Sequence, residues 1–235
     1  MRPGRIIFLN GTSSSGKSSI ARELLAILDG DPYFHFPVDG INAMRAPKEV
    51  APEALDAVLT RTRMGFHRAA AGMAAAGNDL VLDHVLSEPW RLDDCLTVMA
   101  DVEVFLIGVH CPLPELKRRE EARGDRPPGL AAYQYTRVHA HGLYDFECDT
   151  GTASPRECAE LVKEYVESRV ACGRPPTAFR RLRAARAAQA GRTPYPPAYP
   201  VDPPADHPAG HPAHPVHTQQ AGRAGPAAGR AVHPG

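Results

Sequence analysis

The sequence has no excess of either charge sign: 27 basic side chains stand against 27 acidic ones. A chain built to hold nucleic-acid phosphates or an anionic membrane surface carries a positive surplus, so neither partner is expected. Apolar runs approaching the roughly 20 residues that span a bilayer are also missing. The start of the chain lacks the basic, apolar and cleavage regions of a secretory signal. The 5 cysteines, Cys95, Cys111, Cys148, Cys158 and Cys172, are odd in number and never spaced CxxC. That usage fits reduced thiols in a soluble, cytoplasmic protein rather than a disulfide framework. A last deficit is local. From Arg174 onward aliphatic residues nearly vanish, and Pro, Ala, Gly, Arg and His take over, as in Pro194-Tyr195-Pro196-Pro197. Residues 1–172 are therefore expected to fold as one domain and 173–235 to form a disordered tail, with Arg180-Arg181-Leu182-Arg183 and Arg186 as solvated charge.

What is present is an alternation of short apolar runs and amphipathic stretches, with no repeat of fixed period. Ile6-Ile7-Phe8-Leu9, cut off by Asn10-Gly11, reads as a strand buried on both faces. Lys17 to Leu28 places Ile20, Leu24, Leu25 and Leu28 at helical spacing. Phe34 to Asp39 reads as a second strand, which Pro37 confines to an edge or a strand end. A long helix follows from Pro52 to about Ala76, then a third strand at Leu80-Val81-Leu82-Asp83, a helix from Glu88 to Met99 and a fourth strand at 102–109. Helices are expected from Pro114 to Arg123 and from Leu130 to His141, with a weaker fifth strand from Tyr144 to Asp149. A last helix opens on a Ser154-Pro155-Arg156-Glu157 capping box. Strands alternating with helices predict an α/β fold, a five-stranded parallel sheet with ligands at the carboxyl ends of its strands.

Between the first strand and its helix, Gly11-Thr12-Ser13-Ser14-Ser15-Gly16-Lys17-Ser18 satisfies G-x-x-x-x-G-K-S/T in the strand-then-helix context that the motif requires. Glycines let the backbone curl so that N–H groups converge on phosphate oxygens, and the helix N-terminus adds roughly half a positive charge. Lys17 is expected to reach the β and γ phosphates, and Ser18 to offer its hydroxyl to Mg²⁺. Residues 11–18 with Ser19 are thus the expected nucleotide-binding set, for ATP with magnesium.

Asp39 and Asp83 each close an expected strand and so point into the same crevice. One is suited to holding magnesium and the other to taking the proton of an acceptor hydroxyl. Asp83 with Ser18 is the expected metal pair, and Asp39 the base. Lys117, Arg118 and Arg119 read as a solvated face. Arg123 and Arg126 instead flank Gly124-Asp125, a hinge-like break where a mobile lid can bring cations over the transferring phosphoryl group.

Residues 6–19, Val-Asp-Gly at 38–40, Arg-Glu-Glu-Ala-Arg-Gly-Asp-Arg at 119–126 and the stretch from His139 to Asp149 resemble the chloramphenicol phosphotransferase-like family. The resemblance runs to about Val170. It implies a P-loop NTPase with a nucleoside-monophosphate-kinase-like fold that phosphorylates an antibiotic hydroxyl from ATP. It implies Asp39 as general base, Arg123 and Arg126 as lid arginines, and Lys17 and Ser18 as the P-loop pair. Asp83-His84 stands where the family's antibiotic kinase has paired acidic residues, and 42–52 has no matching pattern. The expected partner is therefore a small hydroxylated molecule. Two other readings stay open: a nucleotide, shikimate or sugar-type kinase, with Arg45, Arg61 and Arg63 as candidates for an anionic acceptor, and a nucleotide-binding switch without turnover.

Overall fold

The computed structural model describes residues 2–124, 128–171 and 176–190. Its strands are β1 (Arg5–Asn10), β2 (Phe34–Pro37), β3 (Leu80–His84), β4 (Glu103–His110) and β5 (Phe146–Asp149), in one parallel sheet of order β2-β3-β1-β4-β5. Its helices are α1 (Lys17–Ile27), α2 (Val38–Ala43), α3 (Pro52–Ala75), α4 (Pro89–Val98), α5 (Leu113–Arg123), α6 (Leu130–Tyr135), α7 (Pro155–Ala171) and α8 (Ala178–Ala190). None among the described residues is long and apolar enough to cross a membrane.

The central strands read as unbroken apolar runs because helices cover both faces of the sheet. Ile6, Phe8, Leu80, Leu82, Val104 and Leu106 share one core with Phe66 and Ala70 of α3 and Leu92 and Leu96 of α4. Ile7, Leu9, Val81, Phe105, Ile107 and Val109 share the other with Ile20 and Leu24 of α1 and Cys158 and Val162 of α7. The capping box of α7 is formed as expected. Ser154 N donates to Glu157 Oε2 at 2.8 Å, and Glu157 N donates to Ser154 Oγ at 3.2 Å.

The structure differs from the sequence reading at four places. β2 does lie at the sheet edge, but it stops at Pro37, which has no N–H for the ladder, and α2 starts at once. Asp39 is consequently in the first turn of a helix and not at a strand end. The helix expected to reach His141 ends at Tyr135. Beyond it Arg137 N, Ala140 N and Gly142 N close tight turns onto Gln134 O, Arg137 O and His139 O, and Val138 O accepts a bond from Asn10. β5 begins at Phe146 and not Tyr144, whose ring lies against Gly108.

The fourth difference lies in the expected tail. Residues 178–190 form α8, and Ala178 and Phe179, each 2% exposed, join the first core with Leu182 against it. Asp145 ties the helix start to the sheet: its Oδ1 accepts Ala178 N and its Oδ2 accepts Leu106 N, both at 2.8 Å. Arg186 pairs with Asp93 on α4 at 3.0 Å. An Ala- and Arg-rich stretch has too few apolar residues to fold alone, but three at one helical face suffice when a core already offers the groove. Residues 172–175 and 191–235, with Cys172 and the Pro- and His-rich part of the expected tail, lie outside the described residues.

Candidate active site

β1 delivers the chain to the carboxyl end of the sheet, and 11–16 turn there into α1. Ser14 (φ 64°) and Gly16 (φ 92°) adopt left-handed backbone, which makes neighbouring N–H groups converge as an anion nest. Gly11 is demanded by space: a Cβ would lie 2.4 Å from Val109 O and 2.7 Å from Ser15 Oγ. The buried hydroxyls of Ser13, Ser14 and Ser15 have no hydrogen-bond partner among the described residues. A tight loop with no room for a Cβ at position 11 and with unmet hydroxyls fits a phosphate-bearing ligand.

Lys17, Ser18 and Asp83 come together below this loop. Lys17 Nζ donates to Thr12 O at 2.7 Å and stands 3.9 Å from Asp83 Oδ1, and Ser18 Oγ donates to Asp83 Oδ2 at 2.5 Å. Sheet register sets Asp83 beside Leu9 on β1 and Pro37 on β2. Burial pushes the Asp83 carboxyl up. The Lys17 ammonium, with His35 and Ser18, outweighs that and holds it below the usual carboxylate range, so it is ionised at neutral pH. A hydroxyl and an ionised carboxylate are hard oxygen donors, a set that suits Mg²⁺. Ser19 begins the ladder of α1, its N–H on Gly16 O at 3.0 Å.

Residues that sequence reasoning missed hold the loop in place. Asn10 is fully buried; its amide donates to Tyr144 OH at 2.7 Å and Val138 O at 2.8 Å, and its Oδ1 accepts Leu86 N at 2.9 Å. Gln134 Oε1 accepts Ser13 N at 2.6 Å. Thr150 Oγ1 donates to Ser15 O at 2.8 Å, and Arg119 donates to Thr150 Oγ1 at 3.0 Å and Thr150 O at 2.8 Å. Arg119, expected on a solvated face, therefore clamps the turn after β5 against the P-loop. An amide at the end of a buried strand was the one available signal for Asn10. Gln134 and Thr150 gave none, being 121 and 135 residues from their partners.

The other expected site residues are less closely gathered. Arg123 ends α5, exposed, before left-handed Gly124 (φ 63°), and Arg126 lies outside the described residues. Buried Glu120 on α5 ties the start of α6 to that helix: it accepts Gly129 N at 2.9 Å and Ala131 N at 2.8 Å. Asp39 is exposed in the first turn of α2, two residues beyond the Pro37 that pairs with Asp83. It lies within electrostatic range of Arg63. Burial lowers the Arg63 pKa, while Glu88, Asp56 and Asp39 act to raise it. Burial and Arg63 bring Arg91 down to about 10 against Glu88. Arg91 Nη1 donates to Val85 O at 2.9 Å and Ser87 Oγ at 3.0 Å, and Nη2 bonds Glu88.

Comparison with known proteins agrees with this geometry. A protein of Mycobacterium tuberculosis named "Putative O-phosphotransferase" is 34% identical over 208 residues, covering 78% of this chain and 89% of that protein. Two solved structures share the fold. The APS kinase CysC of Mycobacterium tuberculosis is 20% identical at a TM-score of 0.52, over 71% of this chain and 99% of that one. A shikimate kinase from Acinetobacter baumannii is 13% identical at 0.50, over 72% and 94%. The fold is that of the P-loop kinases. The sequence pattern of the chloramphenicol phosphotransferase-like proteins matches residues 4–167, the stretch that carries the sheet, the P-loop and Asp83, and the chain belongs to that family.

Proposed function

We propose that the protein transfers the terminal phosphate of ATP to a hydroxyl of a small molecule, chloramphenicol or a compound of similar chemistry. The observation that carries this reading is the meeting of Lys17, Ser18 and ionised Asp83 under a loop that only glycine can close at position 11. The loop amides and Lys17 hold the phosphates, and Ser18 and Asp83 would hold Mg²⁺, which when bound supplies charge neutralisation on the phosphate oxygens. Asp39 orients the acceptor hydroxyl and takes its proton from the first turn of α2. Arg123 and Arg126 close over the transferring group and exclude water. The 34% identical relative named for O-phosphotransfer supports an alcohol acceptor.

Full-length protein with Mg-ATP and a panel of hydroxylated antibiotics and metabolites, read by mass spectrometry, tests the reading. At least one compound is expected to gain a phosphoryl group, and Asp39→Asn to cut that rate about 100-fold or more with ATP affinity intact. No product from any compound, with ATP still bound, sinks the proposal in favour of a nucleotide-binding switch.

One observation favours a second reading, an acceptor that carries a phosphate or carboxylate. Arg45 Nη1 is buried and has no hydrogen-bond partner among the described residues. Protection of phosphorylated or carboxylated acceptors by the wild type but not by Arg45→Met, in the same assay run as a competition, separates the two.

A further inference from the structure

The peptide between Thr12 and Ser13 is held at both ends by side chains. Lys17 Nζ donates to Thr12 O at 2.7 Å, and Ser13 N donates to Gln134 Oε1 at 2.6 Å. All four residues are buried, Gln134 to 8% exposure. Gln134 stands on the last turn of α6, whose start is tied to Glu120. Its own carbonyl accepts Arg137 N at 3.0 Å and Val138 N at 2.9 Å, and Val138 O accepts the Asn10 amide. The side chain is therefore carried to the loop by a backbone fixed on either side of it.

The partner determines which way the amide is turned. Ser13 N–H can only donate, so the atom that faces it is the amide oxygen. The nitrogen of the same amide lies about 2.3 Å from that oxygen, which puts Nε2 within roughly 5 Å of Ser13 N. Nε2 carries two N–H donors and gives neither to any described residue. Unlike the hydroxyls of Ser13, Ser14 and Ser15, it is not closed off from solvent. A prop for the loop needs only the oxygen. The amide brings in addition a donor to the mouth of an anion nest, where an anionic oxygen is the partner of matching chemistry.

The lysine indicates which phosphate that oxygen belongs to. In a loop of this pattern the backbone amides cradle the α and β phosphates, and the lysine reaches the β and γ phosphates. Because Lys17 Nζ rests on Thr12 O, the peptide between Thr12 and Ser13 marks the terminal-phosphate end of the loop. Lys17 Nζ and Gln134 Oε1 flank that one peptide, no more than about 8 Å apart. Two donors that bracket a single phosphate, each about 2.8 Å from a different oxygen, span a comparable distance.

We propose that Gln134 is a second side-chain ligand of the terminal phosphate: Oε1 holds the loop, and Nε2 donates to a γ-phosphate oxygen on the side of the peptide away from Lys17. A residue outside the motif then lets the loop tell a triphosphate from a diphosphate. The inference rests on the P-loop as a nucleotide site and is independent of the acceptor.

Nitrogen NMR of full-length protein labelled in its glutamine side chains, titrated with the magnesium complexes of ADP and of a non-hydrolysable ATP analogue, tests it. The Gln134 amide signal, identified by its absence in Gln134→Glu, is expected to move with the analogue and to stay in place with ADP. Gln134→Glu keeps an oxygen for Ser13 N and removes the donor. Calorimetry is expected to show its affinity for the analogue reduced at least about tenfold, with ADP affinity within about twofold of wild type. A residue that only props the loop gives wild-type affinities in Gln134→Glu, or equal losses for both nucleotides, and either result overturns the proposal. So does a Gln134 signal that the analogue leaves in place. Should Gln134→Glu fail to fold, sequential assignment of the wild-type spectra decides alone. If neither nucleotide binds the wild type, the P-loop reading falls and takes this inference with it; binding with an unmoved signal removes this inference alone.

Discussion

Gly11 and Asp83 show how much of the site depends on single atoms. A methyl group at position 11 has no room, because Val109 O would lie 2.4 Å away. Gly11→Ala is expected to abolish ATP binding in a calorimetric titration even in protein that still folds. Asp83 is held ionised by Lys17, His35 and Ser18 against the cost of burial. Asp83→Asn is expected to lower turnover at least 100-fold and to weaken its dependence on magnesium concentration, which a magnesium titration of the rate reads directly. His139 gives a pH signature. Burial, with His110, His141 and Lys17 nearby, lowers its pKa to about 4, so the folded protein keeps it neutral where an unfolded chain, near 6.5, takes up a proton. More protons are then bound unfolded than folded below about pH 6.5, and stability falls with pH through that range. Thermal melts are expected to drop between pH 7 and pH 5, less so in His139→Asn. The loop at 11–18 was legible in sequence because it is local, eight consecutive residues of one pattern. Asn10, Gln134 and Thr150 were not, since their roles exist only once distant segments meet.

At the level of elements, the apolar runs of β1, β3 and β4 were readable because both faces of those strands are buried and no alternation hides them. Edges were harder. Proline 37 marked an edge strand correctly, yet the same missing N–H that keeps it there also ends the ladder and starts α2, which moves Asp39 into a helix. α8 was invisible for a different reason: its composition is that of a solvated tail, and only Ala178, Phe179 and Leu182 meet the core. Phe179→Ala is expected to cost about 3 kcal/mol and to lower Tm by roughly 6–12 °C, while phosphotransfer at low temperature persists. An unchanged melting curve is evidence that α8 does not pack on the sheet. Glu120 makes the corresponding case for the start of α6. Removing the carboxylate that accepts Gly129 N and Ala131 N, in Glu120→Ala, is expected to raise KM for ATP and to speed protease cleavage between α5 and α6.

Across the whole molecule, the sheet order brings the carboxyl ends of β2, β3 and β1 side by side, so that the P-loop, Asp83 and the start of α2 stand at neighbouring strand ends. Zero net charge is compatible with a small-molecule partner, and in the proposed reading Lys17 and Asp83 form a phosphate-binding half and Asp39, with Arg63 in electrostatic range, an acceptor-facing half. The first half follows from a motif and its geometry. The second depends on Asp39, and that dependence is the central claim. The measurement that tests it most directly follows the terminal phosphate of isotopically labelled ATP in wild type and in Asp39→Asn, with acceptor present. Label on the hydroxyl of the organic product in the wild type, and its loss in Asp39→Asn while ATP still binds, is the predicted result. Label appearing only in inorganic phosphate, or equal product from both proteins, contradicts it.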